Sequence, residues 1–246
     1  MLSCRLLIDA PAPGIWNMAV DEALLEHAAS GGWTLRFYAW NEPTLSLGYF
    51  QAHSDRLTHA ASRGLPLVRR ASGGGAIVHD HELTYSLSGP APSASSSATQ
   101  GRLCAVHAAW VEVLTGLGVE AHLCQAARST PHAVDPFLCF QRRGAGDVLA
   151  GGIKLAGSAQ RRRRGAVLQH GSVLLARSDA APELPGLASL IGACPSMREW
   201  IERAIGALSR SLRFQFDRGQ ITLPELARAT TLAANPYGLT AWNERR

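Results

Sequence analysis

The sequence predicts a mixed α+β fold in which helices flank a largely antiparallel sheet. Short alternating apolar segments, which are typical of strands, recur through the first two thirds of the chain with helical patterns between them. Turn-forming residues join several neighbouring segments closely enough for hairpins, which are antiparallel. The chain has 246 residues, of which 46% are hydrophobic and 17% charged, a composition typical of folded globular proteins. We expect one domain over residues 1–246, with a core at about 14–212 and a helical tail at about 213–246.

The first predicted elements are a helix and a series of short strands. Residues 16–30 have apolar side chains at helical spacing, with Asp21 and Glu22 near the start, where the helix dipole favours acidic groups. The turn Asn41-Glu42-Pro43 lies between two alternating segments and therefore predicts a hairpin. The predicted strands of this half are residues 33–37, 45–49, 65–70, 76–79 and 83–88.

A low-complexity loop separates these elements from the second half. Residues 89–98, GPAPSASSSA, offer no side chains with which to bury a surface. The pair Gly151-Gly152 lies between two short apolar segments, which is the pattern of a two-residue hairpin turn. From about Pro195 onward, apolar residues recur at helical spacing. The predicted elements between these points are a helix at 105–117 and strands at 119–123, 147–150, 153–156 and 166–175.

Composition argues against several classes of protein. No stretch approaches ~18 uninterrupted apolar residues, so we expect no transmembrane helix, and the apolar N-terminal segment is too short for a signal peptide. The expected compartment is therefore the cytoplasm. The five cysteines form no CxxC pair, which argues against a disulfide framework and against a zinc site, and no metal site is predicted. The net charge is +5, and Lys154 is the single lysine among 24 Lys and Arg residues.

Three consecutive glycines, Gly73 to Gly75, lie between two predicted strands. Ordered glycine costs conformational entropy, so a run of three indicates a need for bare backbone. Such backbone N–H groups can approach a ligand carbonyl or phosphate, with Arg69 or Arg70 adding positive charge. A loose hairpin turn explains the same residues, and the local pattern leaves both interpretations open. The run is not a Walker loop, because no GK[ST] follows it.

Several blocks of sequence follow one another between about residues 14 and 175: NMAVDEALL, PTLSLGYFQ, RRASGGGAIVHD with ELTYSLS, GGIKLAGSAQ and LQHGSVLL. Together they resemble the lipoate/octanoate–protein transferase and ligase family. The resemblance implies a biotin/lipoate-ligase catalytic fold, a mixed sheet wrapped by helices around an acyl tunnel. It implies that the arginine–glycine segment lines the acyl pocket and that the lysine of the KLAGSA block lies at the reaction centre. The corresponding residues are Arg70, Ser72, Gly73, Gly74, Gly75, His79, Lys154, Gly157, Ser158, Ala159 and His170.

Lys154 and Cys139 are the predicted catalytic residues. A lysine followed by small residues can approach a bound carbonyl, stabilise an oxyanion or move a proton, although an exposed turn lysine has the same local pattern. The pair Cys139-Phe140 precedes Lys154 as a similar Cys-Phe pair does in cysteine-dependent octanoyltransferases, and the resemblance thus implies a nucleophile. His79 and His170 are weaker candidates for assisting groups. The other cysteines, Cys4, Cys104, Cys124 and Cys194, are expected to be buried core thiols.

Three functions fit these residues. An acyltransferase, our main prediction, moves an octanoyl or lipoyl group from octanoyl-acyl carrier protein through Cys139 to a lysine of a lipoyl domain or glycine cleavage H protein, and requires no cofactor. A lipoate–protein ligase instead activates the free acid with ATP and Mg, and Lys154 contacts the activated acyl phosphate. A non-catalytic lipoyl-binding module retains only the pocket. The HDHELTYS pattern after Val78, and the lack of room after about residue 220 for the accessory domain that ligases often carry, favour the transferase.

The run Arg161–Arg164 is the sharpest concentration of charge. A solvated loop is the simplest interpretation, and a docking patch for acidic carrier proteins is the functional one. No aromatic residues are interleaved with the arginines, so nucleic acid is not an expected partner, and neither is a membrane.

Overall fold

The computed structural model describes residues 1–91, 96–125 and 136–245. In this part of the chain an eight-stranded and a three-stranded sheet form the framework. The strands are β1 (Leu2–Ile8), β2 (Trp33–Tyr38), β3 (Thr44–Leu47), β4 (Leu67–Arg69), β5 (Ile77–His79), β6 (Glu82–Pro90), β7 (Ala121–Leu123), β8 (Val148–Ala150), β9 (Ile153–Arg163), β10 (Ala166–Leu174) and β11 (Phe214–Arg218). The helices are α1 (Gly14–Gly31), α2 (Ser96–Thr115), α3 (Ala188–Ile191), α4 (Met197–Leu212), α5 (Leu223–Leu232) and α6 (Thr240–Asn243). Shorter helical turns are His53–Thr58, Cys139–Gln141 and Ala233–Tyr237.

The large sheet has the strand order β11-β1-β2-β6-β10-β9-β8-β7. Strand β1 is parallel to both of its neighbours, and the remaining pairs are antiparallel. In the small sheet, β3 lies between β4, which runs parallel to it, and β5, which runs antiparallel. The predicted α+β class with a largely antiparallel sheet is confirmed.

Alternation along the strands places helices on both faces of the large sheet. Tyr85 of β6 points into a core that also contains Trp110 of α2 and Trp200 of α4. Its neighbour Ser86 points to the opposite face and donates to Asp21 of α1 at 2.8 Å. This second face is covered by α1, which also packs against α5. None of the helices in the described residues has the length and apolar character to span a bilayer.

Two hairpins form where the local sequence permits positive φ angles. Gly151 and Gly152 connect β8 to β9 with φ angles of 54° and 77°, which confirms the predicted glycine turn. Arg164 and Gly165 connect β9 to β10 in the same way, with φ angles of 46° and 79°. The predicted solvated loop at Arg161–Arg164 is therefore wrong, because only Arg164 belongs to the turn and the three preceding arginines belong to β9.

The predicted hairpin across Asn41-Glu42-Pro43 is also wrong, since β2 belongs to the large sheet and β3 to the small one. The backbone N–H of Asn41 donates instead to the carbonyl of Ala12 at 3.2 Å, which ties the turn to the N-terminal segment. Both faces of β2 and β3 are largely buried, so alternation alone did not reveal which sheet each one joins.

Helix α1 begins earlier than predicted, at Gly14, so Asp21 and Glu22 lie in its middle. The helix dipole therefore does not explain them. Asp21 is buried and forms an ion pair with Arg36 of β2 at 2.9 Å, and Glu22 pairs with Arg163 of β9 at 2.6 Å. These acids hold α1 against the sheet.

The termini contain strands that the pattern did not reveal. Strand β1 was not predicted. The segment predicted as a helical tail begins with strand β11, and its helices follow that strand. Strand β6 extends to Pro90 and α2 begins at Ser96, so the predicted low-complexity loop is shorter than expected, and its residues 92–95 lie outside the described part.

Candidate active site

A pocket opens between the two sheets, next to the glycine segment and the turn that contains Cys139, and it holds about 520 Å³ of space when its open entrance is included. Nine of the sequence-predicted residues line it: Arg70, Gly73, Gly74, His79, Cys139, Gly157, Ser158, Ala159 and His170. The other lining residues are Met18, Tyr38, Ile77, Thr84, Phe140, Gly171 and Ser172. The largely apolar wall suits an acyl chain, and a thiol faces the same space.

The remaining three predicted residues lie directly behind this wall. Lys154 contacts Cys139. Ser72 shares a short hydrogen bond with His170 Nε2. Gly75 packs on the backbone of Cys139 so closely that a Cβ at Gly75 would lie 3.2 Å from Cys139 Cα. The structure thus brings all twelve predicted residues to one site.

Lys154 on β9 lies between a sulfur and a carboxylate. Its Nζ is 3.8 Å from Cys139 Sγ and 2.8 Å from Asp147 Oδ2, and the residue is only 7% exposed. The carboxylate also accepts a hydrogen bond at 2.7 Å from the backbone N–H of Gly144, which fixes its direction. An ammonium group held in this position lies beside the sulfur and can stabilise an oxyanion that forms on a bound acyl group.

The glycine segment is folded around the side chain of Arg70. One guanidinium nitrogen, Nη2, donates to the carbonyls of Gly73 at 2.8 Å and Gly75 at 2.7 Å, and Nη1 donates to Ser46. Gly74 has a φ of 95°, which a side chain tolerates poorly. Burial lowers the pKa of Arg70 to about 10, and electrostatic interaction with Cys139 acts in the opposite direction, so the guanidinium stays charged at neutral pH.

This segment is not a loose hairpin turn, because β4 and β5 pair with opposite edges of β3 and not with each other. Its neighbour Arg69 points away from the cavity. The Arg69 guanidinium donates to the carbonyl of Gln51 at 2.7 Å and, on its other side, to those of Asn243 at 3.1 Å and Arg245 at 2.9 Å. Arg69 therefore fastens the C-terminal residues to the loop beside the cavity.

Both candidate histidines are held from two sides. His79 stacks on Trp40, with ring centroids 3.8 Å apart, and its two nitrogens contact Glu82 at 2.5 Å and Ser46 at 2.8 Å. His170 contacts Asp21 through Nδ1 at 3.1 Å and Ser72 through Nε2.

Burial opposes ionisation of Asp21, but the hydrogen bond from His170 and the charge of Arg36 outweigh it and lower the pKa of the carboxyl. The carboxylate fixes the orientation of His170 in the cavity wall.

The cysteines differ in burial. All five are free thiols; Cys4 is buried, and Cys104, Cys124, Cys139 and Cys194 are half-buried, so the expectation of buried core thiols is wrong for three of them. Burial raises the pKa of Cys4 to about 12. Among the residues that the structure describes, no group of three or more His, Cys, Asp and Glu side chains is placed to hold a metal ion.

Residues 13–182 match the family model of the lipoyl protein ligase A/B catalytic domain. The chain belongs to this family. It is 34% identical to the octanoyltransferase LipM of Kyrpidia tusciae, with 100% of both chains covered, and 35% identical to that of Symbiobacterium thermophilum, with 98% of both covered.

Solved structures agree with the family. A putative lipoate protein ligase from T. acidophilum with bound lipoic acid has a TM-score of 0.79 and 25% identity, covering 99% of this chain and 100% of that one. A lipoate-protein ligase A bound with ATP has a TM-score of 0.78 and 25% identity, with 99% of both chains covered. The predicted ligase-like catalytic fold of the lipoyl protein ligase A/B family is confirmed.

Sequence reasoning about the lipoyl protein ligase A/B site missed two carboxylates. Asp147 was assigned only to a strand, although it is the single acidic residue between Cys139 and Lys154, and that position was an available signal. Asp21 was assigned to a helix end. No local signal connects it to His170, because the contact depends on how α1 packs on β10.

Gly157→Ala tests the position of Lys154. A Cβ at Gly157 would lie 2.6 Å from Lys154 Cε and 3.0 Å from Nζ, so the lysine must move. Because the far end of a lysine is flexible, we expect the melting temperature to change little and the acyl-transfer rate to fall by ~10-fold or more. Gly64→Ala is the matched control, since nothing lies within 4 Å of its Cβ position. A fully active Gly157→Ala variant would contradict the assigned role of Lys154.

Proposed function

We propose that the chain is an octanoyltransferase, which takes an octanoyl group from a carrier-protein thioester and passes it to a lysine of a lipoyl-accepting protein through an acyl-enzyme on Cys139. The observation that carries the proposal is a thiol in the wall of a largely apolar cavity, with the Lys154 ammonium 3.8 Å from its sulfur. The full-length similarity to proteins named octanoyltransferase LipM supports it.

In the first half of the proposed reaction, the Cys139 thiolate attacks the thioester carbonyl. A new C–S bond forms at Cys139, the C–S bond to the carrier breaks, and the departing carrier thiolate takes up a proton. In the second half, the amine of the acceptor lysine attacks the acyl-enzyme, the C–N bond forms, and Cys139 leaves as a thiolate while the amine loses a proton.

Lys154 has a role in both halves of this reaction. Each attack places negative charge on the acyl oxygen, and the ammonium that Asp147 holds near the sulfur stabilises it. The ordered glycine segment places the backbone along the acyl group, since its carbonyls are already bonded to Arg70. The thioester is an activated donor, so the reaction requires no cofactor.

The second candidate is an ATP-dependent lipoate–protein ligase, because solved neighbours include ligases. In that reaction ATP and Mg would activate the free acid, and Lys154 would contact the acyl phosphate. A ligase has no need of a nucleophilic thiol, and Cys139 beside Lys154 therefore favours the transferase. A non-catalytic lipoyl-binding module needs neither side chain.

The proposed donor is octanoyl-acyl carrier protein, and the proposed acceptor is a lipoyl domain or a glycine cleavage H protein. The acceptor class is supported by a neighbour described as a bi-partite lipoate protein ligase with its E2 lipoyl domain from Thermoplasma acidophilum. We place the reaction in the cytoplasm, where such carriers and acceptors are made.

One pair of incubations distinguishes these functions. With octanoyl-acyl carrier protein and an apo lipoyl domain, and without ATP, we expect mass spectrometry to detect one octanoyl group on the acceptor. With free octanoate, ATP and Mg, we expect no product. The reverse pattern would identify a ligase, and transfer from neither donor would identify a binding module.

A further inference from the structure

Helix α2 contributes one buried polar side chain to the back of the site. His107 is 1% exposed, and both of its ring nitrogens have partners. Nδ1 forms a short hydrogen bond with the backbone carbonyl of Gly146, and Nε2 lies 3.0 Å from Ser158 Oγ. The proposed reaction does not use this residue.

The two partners define the tautomer of His107. A carbonyl only accepts hydrogen bonds, so Nδ1 carries the proton and Nε2 accepts from the Ser158 hydroxyl. Burial lowers the pKa of His107; the bond to Gly146 and the charge of Asp147 oppose this effect, and the charge of Lys154 adds to it. The ring therefore remains neutral at neutral pH and keeps both bonds.

The two hydrogen bonds of His107 lead to different parts of the site: one to the peptide before Asp147, the other to Ser158 in the cavity wall. The Gly146 carbonyl belongs to the peptide that leads into Asp147, so a bond to it restrains the backbone from which the Asp147 side chain extends. That carboxylate holds Lys154 at 2.8 Å. Ser158 lines the cavity next to Gly157, the residue that leaves room for the Lys154 side chain.

We propose that His107 is a positioning residue that fixes the Asp147–Lys154 pair through one ring nitrogen and the cavity wall at Ser158 through the other. The inference rests on the proposed function for the role of Lys154, although the positioning itself is measurable without transfer. His107 touches neither Cys139 nor the cavity, and it acts only through its two partners.

Two substitutions separate the two bonds. In His107→Asn, the amide N–H occupies the place of Nδ1 and keeps the bond to Gly146, but no atom replaces Nε2. In His107→Gln, the longer side chain reaches the place of Nε2 and accepts from Ser158, but its bond to Gly146 is lost. Ser158→Ala removes the second bond and leaves the histidine intact.

Transfer kinetics and the rate of Cys139 alkylation by iodoacetamide report on the two hydrogen bonds of His107. We expect His107→Gln to lower kcat and the alkylation rate by ~10-fold or more, with KM little changed. We expect His107→Asn to keep kcat and the alkylation rate near the wild-type values and to raise KM for the octanoyl donor, and we expect Ser158→Ala to raise the same KM. Equal losses in His107→Gln and His107→Asn, or wild-type kinetics in both, would overturn the proposal.

A measurement on the unsubstituted protein covers the case in which a variant does not fold. The ¹⁵N chemical shifts of His107 should show the neutral Nδ1–H tautomer between about pH 7 and pH 8, above the ordinary histidine pKa of about 6.5. An Nε2–H tautomer or a protonated ring in this range would overturn the assignment. Absence of transfer in the wild type, with slowed alkylation in His107→Gln, would reject the proposed function while leaving the positioning role in place.

Discussion

Cys139→Ser is expected to abolish transfer from octanoyl-acyl carrier protein. A hydroxyl is far less ionised than a thiol at neutral pH, so the ammonium of Lys154 has no anion to stabilise and the acyl-enzyme does not accumulate. The wild type should carry a single octanoyl adduct that hydroxylamine removes, and mass spectrometry should find none on the variant. The substitution replaces one atom in a half-buried position, so we expect the melting temperature to stay close to that of the wild type.

Cys194→Ser is the matched control for this experiment. Cys194 is also half-buried, but burial raises the pKa of its thiol, and its Sγ donates to the carbonyl of Leu175 at 3.1 Å. It is not among the residues that line the cavity. This variant should transfer at the wild-type rate. If Cys139→Ser retains activity, the nucleophile is misassigned, and direct transfer or the ligase reaction becomes the better explanation.

Lys154→Arg should lose ~10²–10³-fold in kcat, which is the usual cost of removing one group that stabilises an oxyanion. Arginine keeps the charge and a partner for Asp147, but it is bulkier and does not release a proton at neutral pH. The space is limited, since even a Cβ at Gly157 would lie 2.6 Å from Lys154 Cε. A guanidinium must therefore turn away from Cys139.

The melting temperature of Lys154→Arg is the control, because it separates a loss of activity from a loss of folding. We expect thermal melting of Lys154→Arg close to that of the wild type, because the ion pair to Asp147 survives. Lys154→Ala should be at least as inactive, and less stable, because it leaves the buried Asp147 carboxylate without its cation. An active Lys154→Ala variant would show that the reaction centre lies elsewhere.

Local features of the fold were predictable from the sequence. Gly151-Gly152 requires only its own φ angles to form a turn, and β10 carries its apolar pattern within one segment. The hairpin expected across Asn41-Glu42-Pro43 failed, because the choice between two sheets depends on distant partners. The strand β11 was missed for the same reason: its five residues become a strand only by pairing with β1 at the opposite end of the chain.

The site was predictable to a similar extent. The glycine segment, Cys139 and Lys154 match sequence patterns of a known family, and the structure brings them together. The groups that hold them do not carry such patterns. Asp147, Asp21 and His107 are ordinary residues whose positions next to Lys154, His170 and Ser158 arise from packing between separate elements.

The contacts of Arg69 join two segments that are far apart in the order of synthesis. Arg69 is synthesised well before the carbonyls of Asn243 and Arg245 that it binds, which lie 174 and 176 residues further along the chain. Before those residues are made, Arg69 can bind the loop that ends at Gln51 but has no C-terminal carbonyls to bind. The C-terminal segment is therefore fastened to this loop only after strand β11 of the large sheet has been synthesised.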